Sequence, residues 1–190
     1  GFMQTKWDGA PSVVCGTDPL NGMFFVGTKS VFAKNSKACY DDVDVDLYYE
    51  GDLAEKLKYS LKYFSTLGIQ GIVQGDLLFT TDVKRETVNG EKVYTFTPNT
   101  ITYGIPVDHP IGVATSKAKI GVVFHTHYRG NNFQTMQAVA GAKVKGSIEV
   151  LSVDNDTPMD RVGLNHSEEV LFDKYVANIE KMCAASGDFL

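Results

Sequence analysis

Between Asp52 and Leu67 apolar residues recur every three to four positions, so that Leu53, Leu57, Leu61, Phe64 and Leu67 share one face of a predicted helix. Asp52, with Glu55 three residues on, supplies a capping signal, and Gly68 supplies the stop. The same period predicts a second helix from Ser167 to about Ala185, with Ser167 as N-cap, Glu168 and Glu169 in the first turn, and Leu171, Tyr175, Ile179 and Met182 as its buried stripe. Elsewhere the period shortens to two, or apolar residues run on without a break. These stretches predict strands at Ser12 to Gly16, Met23 to Val26, Ile69 to Thr80, Val93 to Thr97, Ile120 to His127 and Ala142 to Val153. Asn89-Gly90 marks a hairpin turn. Pro98, Pro106 and Pro110 make 99–110 a loop or broken strand, and 154–165 reads as a polar connector. Hairpin-linked strands with helices set apart, and no strand-helix-strand repetition, predict an α+β domain of mostly antiparallel sheets with flanking helices.

Composition narrows this picture. A chain of 190 residues, 43% hydrophobic and 22% charged, is long enough for one domain over 1–190 with a sizeable core. A net charge of −5 weighs against a broad polyanion-binding surface and leaves only a local basic cluster at Lys29, Lys34 and Lys37. Cys15, Cys39 and Cys183 are odd in number and widely spaced, without a secretory signal or a long apolar run. That combination predicts buried thiols in an intracellular, reduced setting and no membrane span. The chain opens on Gly1 and closes on Gly187-Asp188-Phe189-Leu190 just beyond a helix, which is expected of a fragment or a trimmed precursor.

Three clusters have both a chemical and a plain reading. His125 and His127, two apart on a strand, would face one side and could hold a metal or phosphate, or be hydrogen-bonded structural side chains. The run Asp41 to Asp46 lacks the Gly and terminal Glu of a calcium loop and reads as a solvated loop. Phe24, Phe25 and Phe32 are either a base-stacking face or core.

The most chemical stretch is Lys6-Trp7-Asp8-Gly9, immediately before the first strand. A lysine with an ordinary pKa of about 10.4 is protonated at neutral pH, so a nucleophilic role needs a sheltered strand end or nearby cations. Asp8 can brace the turn or the lysine, and Gly9 permits close backbone approach or positive φ.

These residues, followed by two strands and then Gly27-Thr28-Lys29-Ser30, resemble the adenylation domain of the covalent nucleotidyltransferases, the superfamily of DNA ligases, RNA ligases and capping enzymes. Ile72-Val73-Gln74-Gly75-Asp76-Leu77-Leu78-Phe79 is similar to a second motif, with Asp76 where a Glu is usual. Ile120-Gly121-Val122-Val123-Phe124 is similar to a third, with Ile120 in the place of its acid, and Lys143-Val144-Lys145 to the last, K-x-K. The wording around Lys6 and Lys29 looks most like ligase-like proteins encoded by tailed bacteriophages. The resemblance runs from Lys6 to Lys145.

What the resemblance implies is an ATP-using enzyme. Lys6 would attack the α-phosphate with Asp8 orienting it; Lys29 would meet ribose or phosphate; Asp76 would bind ribose or Mg²⁺; and Lys143 or Lys145 would offset the developing charge. The lysyl-AMP so formed would pass to a nucleic-acid 5′-phosphate end in the host cytoplasm. Ile120 and the lack of length for an accessory domain imply the alternative. On that reading the chain is a catalytically incomplete virion-associated protein that keeps the fold and meets other phage particle proteins.

Overall fold

The computed structural model describes residues 6–154, 170–171, 174–179 and 181–182 of the chain. The chain divides into two compact units, one spanning Lys6–Asn155 and one formed by residues 1–5 with 156–190. In the second unit the described residues are helical, as the 3.6-residue pattern predicts. Its proposed cap Ser167 and the acids Glu168 and Glu169 lie outside the described residues, as does Cys183. Leu171, Tyr175, Ile179 and Met182, expected as a buried stripe, are instead exposed.

The first unit is α+β. In chain order it runs β1 (Ser12–Thr17), β2 (Phe24–Gly27), a 3-10 helix (Lys29–Phe32), α1 (Asp42–Tyr48), α2 (Gly51–Phe64) and a 3-10 turn (Ser65–Leu67). Then follow β3 (Ile72–Phe79), β4 (Lys84–Val88), β5 (Glu91–Phe96), β6 (Tyr103–Pro106), α3 (Pro110–Thr115), β7 (Ile120–Arg129), a 3-10 turn (Phe133–Thr135), β8 (Gln137–Ala140) and β9 (Val150–Ser152). The large sheet has the order β2-β1-β3-β7-β8, antiparallel throughout, with β9 parallel to β7. The second sheet, β4-β5-β6, is antiparallel. Since β3 occupies one edge of β7, β8 and β9 share the other, β8 at Thr126–Arg129 and β9 at Ile120–Val122.

Several elements differ from the pattern-based expectation, each for a local reason. The acidic run read as a loop starts a helix: the Asp44 N–H donates to the Asp41 carboxylate at 2.9 Å, and Asp42 and Asp44 sit where the helix dipole favours negative charge. Asp52 does not cap α2; Glu50 holds that position, and Asp52 lies inside the first turn, paired with Lys56 at 2.8 Å. Part of 99–110 is the strand β6, tolerated because β6 is a sheet edge and Pro106 ends it. Of 142–153 only β9 is strand, since the Ser147 N–H donates to the Val150 carbonyl and the Ser152 hydroxyl to the Val144 carbonyl, folding the segment back. Asn89 and Gly90, both at positive φ, make the predicted hairpin.

The large sheet has two unlike faces. On one, Val13, Cys15, Val73, Leu77, Val122 and Phe124 form a single cluster with Leu57 and Phe64 of α2, whose ring meets Phe124 at 5.4 Å. The thiols of Cys15 and Cys39 lie in this core, and burial raises both pKa values, that of Cys39 to about 12 with help from Asp44 and Asp41. On the other face the apolar residues form two separate clusters: Val14, Phe25, Val31 and Ile72 with Phe133, and Leu78, Phe79 and Val123 with Phe96 of the small sheet. Among the described residues no helix is long and apolar enough to cross a membrane.

Candidate functional site

Between those two clusters the open face is polar. Strand alternation and register set Ser12, Gln74, Asp76, Thr126 and Tyr128 on it, with Ser12 opposite Asp76, Gln74 opposite Thr126 and Ile72 opposite Tyr128. The Gln74 amide donates to the Ser12 hydroxyl at 2.8 Å and accepts from the Tyr128 hydroxyl at 2.5 Å, so this nearly buried side chain is satisfied on both sides. Tyr128 in turn meets the ring of Phe32 at 4.3 Å, and burial raises the phenol's pKa. Phe32 therefore helps wall this face, and Phe25 is core, which resolves the two readings of the aromatic group in favour of packing.

A β-bulge delivers one more group. Gly75 pairs with Phe124 and Gln74 with Thr126, leaving His125 unpaired between them. Its Nε2 lies 3.5 Å from Asp76 Oδ1 and its Nδ1 2.8 Å from the Thr126 hydroxyl. The extra residue breaks the alternation, so His127, paired with the helix-side Val73, falls on the opposite face. The expectation that the two histidines share a side is thereby corrected.

The turn from Lys6 to Gly9 is fastened to the same region. Trp7 packs into the cluster beneath the small sheet, its ring 5.0 Å from Tyr103. The Asp8 carboxylate accepts from Asn99 Nδ2, the Thr100 N–H and hydroxyl, and the Ile101 N–H, while its own N–H donates to the Tyr103 hydroxyl at 2.7 Å. Led by the Asn99 bond, these donors hold the carboxyl well below the usual carboxylate range. Of the two roles open to Asp8, the structure gives it the bracing of the turn. Gly9 is a close-approach glycine: a Cβ there would stand 2.6 Å from Asp76 Cβ and 2.9 Å from the Leu77 carbonyl oxygen. The Ala10 N–H then donates to Leu77 O at 2.9 Å and the Leu77 N–H to Pro11 O at 3.0 Å, so the motif enters the sheet against Asp76.

Lys6 is exposed rather than sheltered, because it lies ahead of Ala10, where cross-strand bonding begins. Lys29 is also exposed, on the 3-10 helix whose Val31 and Phe32 pack on the open face and whose start is capped by the Thr28 hydroxyl. Lys143 and Lys145 do not share a strand face, since 142–146 is not strand; they line one cavity of about 470 Å³ in the gap between β8 and β9. Lys143 Nζ lies 3.6 Å from Asp154. This segment joins the polar strip through one backbone bond, from the Gly141 N–H to His125 O at 2.8 Å. Ile120 is fully buried in the helix-side core.

Among the described residues no three His, Cys, Asp or Glu side chains converge as a metal cage. Asp76 offers one carboxylate of the kind that Mg²⁺ takes from a protein, the remainder being water and phosphate oxygens, whereas the His125 imidazole beside it is not a ligand that Mg²⁺ favours.

Gln74 is a site residue that motif spacing overlooks, and the place of His125 beside Asp76 is likewise hidden from it. A polar amide inside the apolar run of β3 is the signal for the first, whereas a bulge leaves no mark on alternation.

These features define an α+β protein with one helix-covered sheet face and one polar, partly open face. The chain belongs to a family of unknown function, DUF6267, whose model matches residues 1–190. No curated protein and no solved structure matches it.

Proposed function

We propose that the protein is a ligase-like nucleotidyltransferase that forms a lysyl-AMP intermediate on Lys6 for joining or modifying nucleic-acid ends. The observation that carries this reading is the contact of Gly9 with Asp76, which brings together two motifs 67 positions apart, with the His125 imidazole on the same carboxylate. In the step envisaged the Lys6 amine, exposed in the free chain, would lose its proton beside a bound cation and attack the α-phosphorus of ATP. A P–N bond forms, the bond to the bridging oxygen breaks, pyrophosphate leaves with the electron pair and the amine proton passes to solvent. Trp7 and Asp8 hold the turn that carries the amine; Asp76 binds ribose or Mg²⁺; Lys29 and either Lys143 or Lys145 supply positive charge to phosphate oxygens. The metal, when bound, would neutralise phosphate charge.

A specific observation favours a second reading. Ile120 is wholly buried on the helix side, so no acid can act from that position, and an incomplete site suits a phage particle component that keeps the fold without turnover. Incubation with α-labelled ATP and Mg²⁺ separates the two. The enzyme reading expects label that is stable to alkali, released by acid and missing in Lys6→Ala. Absence of Lys6-dependent label across several nucleotides and metals leaves the particle component, which copy number in purified virions would then reveal.

A further inference from the structure

Against the small sheet lies a second cavity of about 450 Å³, a size typical of small-ligand sites, with none of Lys6, Asp8 and Asp76 in its lining. It is lined by Thr80 and Thr81 just after β3, by residues of the small sheet and α2, and by the stretch in which α3 gives way to β7. Arg85 and Tyr94 are directly opposite one another on β4 and β5, so both side chains leave the same face of that sheet. Lys119 enters from the start of β7, and Tyr59 from α2. No Asp or Glu is among the described residues lining this cavity, although the chain as a whole carries a net charge of −5. The nearby Asp82 is turned back on its own loop, accepting from the Thr80 N–H at 2.9 Å.

Two cations with tyrosine and threonine side chains lining one cavity, and no carboxylate among its described residues, make a site for an anion. An Arg beside a Lys is the pairing that suits phosphate, a planar fork with a point charge. The volume leaves room beyond one phosphate group, and the rings of Tyr59 and Tyr94 offer apolar surface for it. The geometry points to this cavity as a binding site for a nucleotide phosphate, carried either by a mononucleotide or by a nucleic-acid strand, with Arg85 and Lys119 as its anion ligands. The inference goes beyond the chemistry proposed at Lys6 and does not depend on it.

Calorimetric titration of the full chain with AMP, with a 5′-phosphorylated oligonucleotide and with its 5′-hydroxyl counterpart tests it. Binding of at least one phosphate-bearing probe is expected, weakened roughly tenfold or more in Arg85→Gln/Lys119→Gln, as loss of charge-assisted bonds predicts. Tighter binding of AMP identifies a mononucleotide, and tighter binding of the phosphorylated strand identifies nucleic acid. Both substituted residues are exposed, so the double variant should keep the wild-type urea midpoint. Should that variant fail to fold, phosphate-induced shifts of the Thr81, Tyr94 and Lys119 amide resonances in the wild-type chain take its place. Failure of all three probes to bind, equal affinity in the folded double variant, or shifts confined to other residues would overturn the assignment.

Discussion

The two faces of the large sheet are built from the same strands and obey opposite rules. Toward α2, each of Val13, Cys15, Val73, Leu77, Val122 and Phe124 is apolar and buried, and they form one continuous core. Toward the other side, Val14 and Ile72 belong to one cluster and Leu78 and Val123 to another, with Ser12, Gln74, Asp76 and Thr126 between them at positions where alternation alone would place apolar residues. Half-burying hydroxyl, amide and carboxylate groups costs free energy that aliphatic residues would not incur. A sequence that breaks its own pattern over one patch, while keeping it on the reverse of the same strands, carries there a stability cost of the kind that folds accept at functional or strained sites.

The largest effect should come from damage to the continuous face. Phe64→Ala removes a fully buried ring set edge-to-face with Phe124 and should cost about 3–5 kcal/mol in urea unfolding, enough to threaten folding itself. A loss below about 1 kcal/mol would mean that this face is not the stabilising one.

Gly9→Ala sharpens the contrast, since its methyl would press on Asp76 and the Leu77 carbonyl from the open side. About 1–3 kcal/mol should be lost, as in overpacking, together with any Lys6 labelling, because the turn must lift off β3. Retained labelling would detach the turn from Asp76 in function.

Asp8 adds a pH dependence to the same turn. Its folded carboxyl is more acidic than in the unfolded chain, so the stability it contributes is fully present at neutral pH and is lost as pH falls through the ordinary carboxylate value of about 3.9 and below. Unfolding curves between about pH 5 and pH 2 should therefore be flatter for Asp8→Asn than for wild type. Parallel curves would show that the loop 99–101 does not hold the charge.

The smallest effect belongs to neither face. Asp52→Ala removes an exposed pair with Lys56 and should change stability by only about 0.2–0.5 kcal/mol, diminishing with salt, because Asp52 does not cap α2. A loss near 1 kcal/mol would restore it as a cap.

How much of this could be read from the chain depends on which signal was at stake. Periodicity located α2, β1, β3 and the Asn89-Gly90 hairpin, because a buried face imposes its period directly on the residues. It missed α1, whose seven residues carry only Val45 inside and are set by a capping carboxylate rather than an apolar stripe. It overextended the strand after Ala142, where Ser147 turns the chain back. At the site, the Lys6-to-Gly9 turn made Lys6 and Asp8 notable and the resemblance added Asp76, yet the contact between Gly9 and Asp76 is a property of strand register. His125 reads from the sequence as one of a same-sided pair, but its place beside Asp76 was hidden for the complementary reason, since a single unpaired residue moves one histidine to Asp76 and the other to the far face.

The central claim is that the Lys6 turn and Asp76 form one working site on the open face. The most direct measurement is the extent of adenylylation at Lys6, read by peptide mass spectrometry after incubation with ATP and Mg²⁺, in wild type and in Asp76→Asn. The account predicts AMP on Lys6 in wild type and its loss in Asp76→Asn, with the urea midpoint unchanged. AMP on Lys6 to the same extent in both proteins, or on neither, would contradict it.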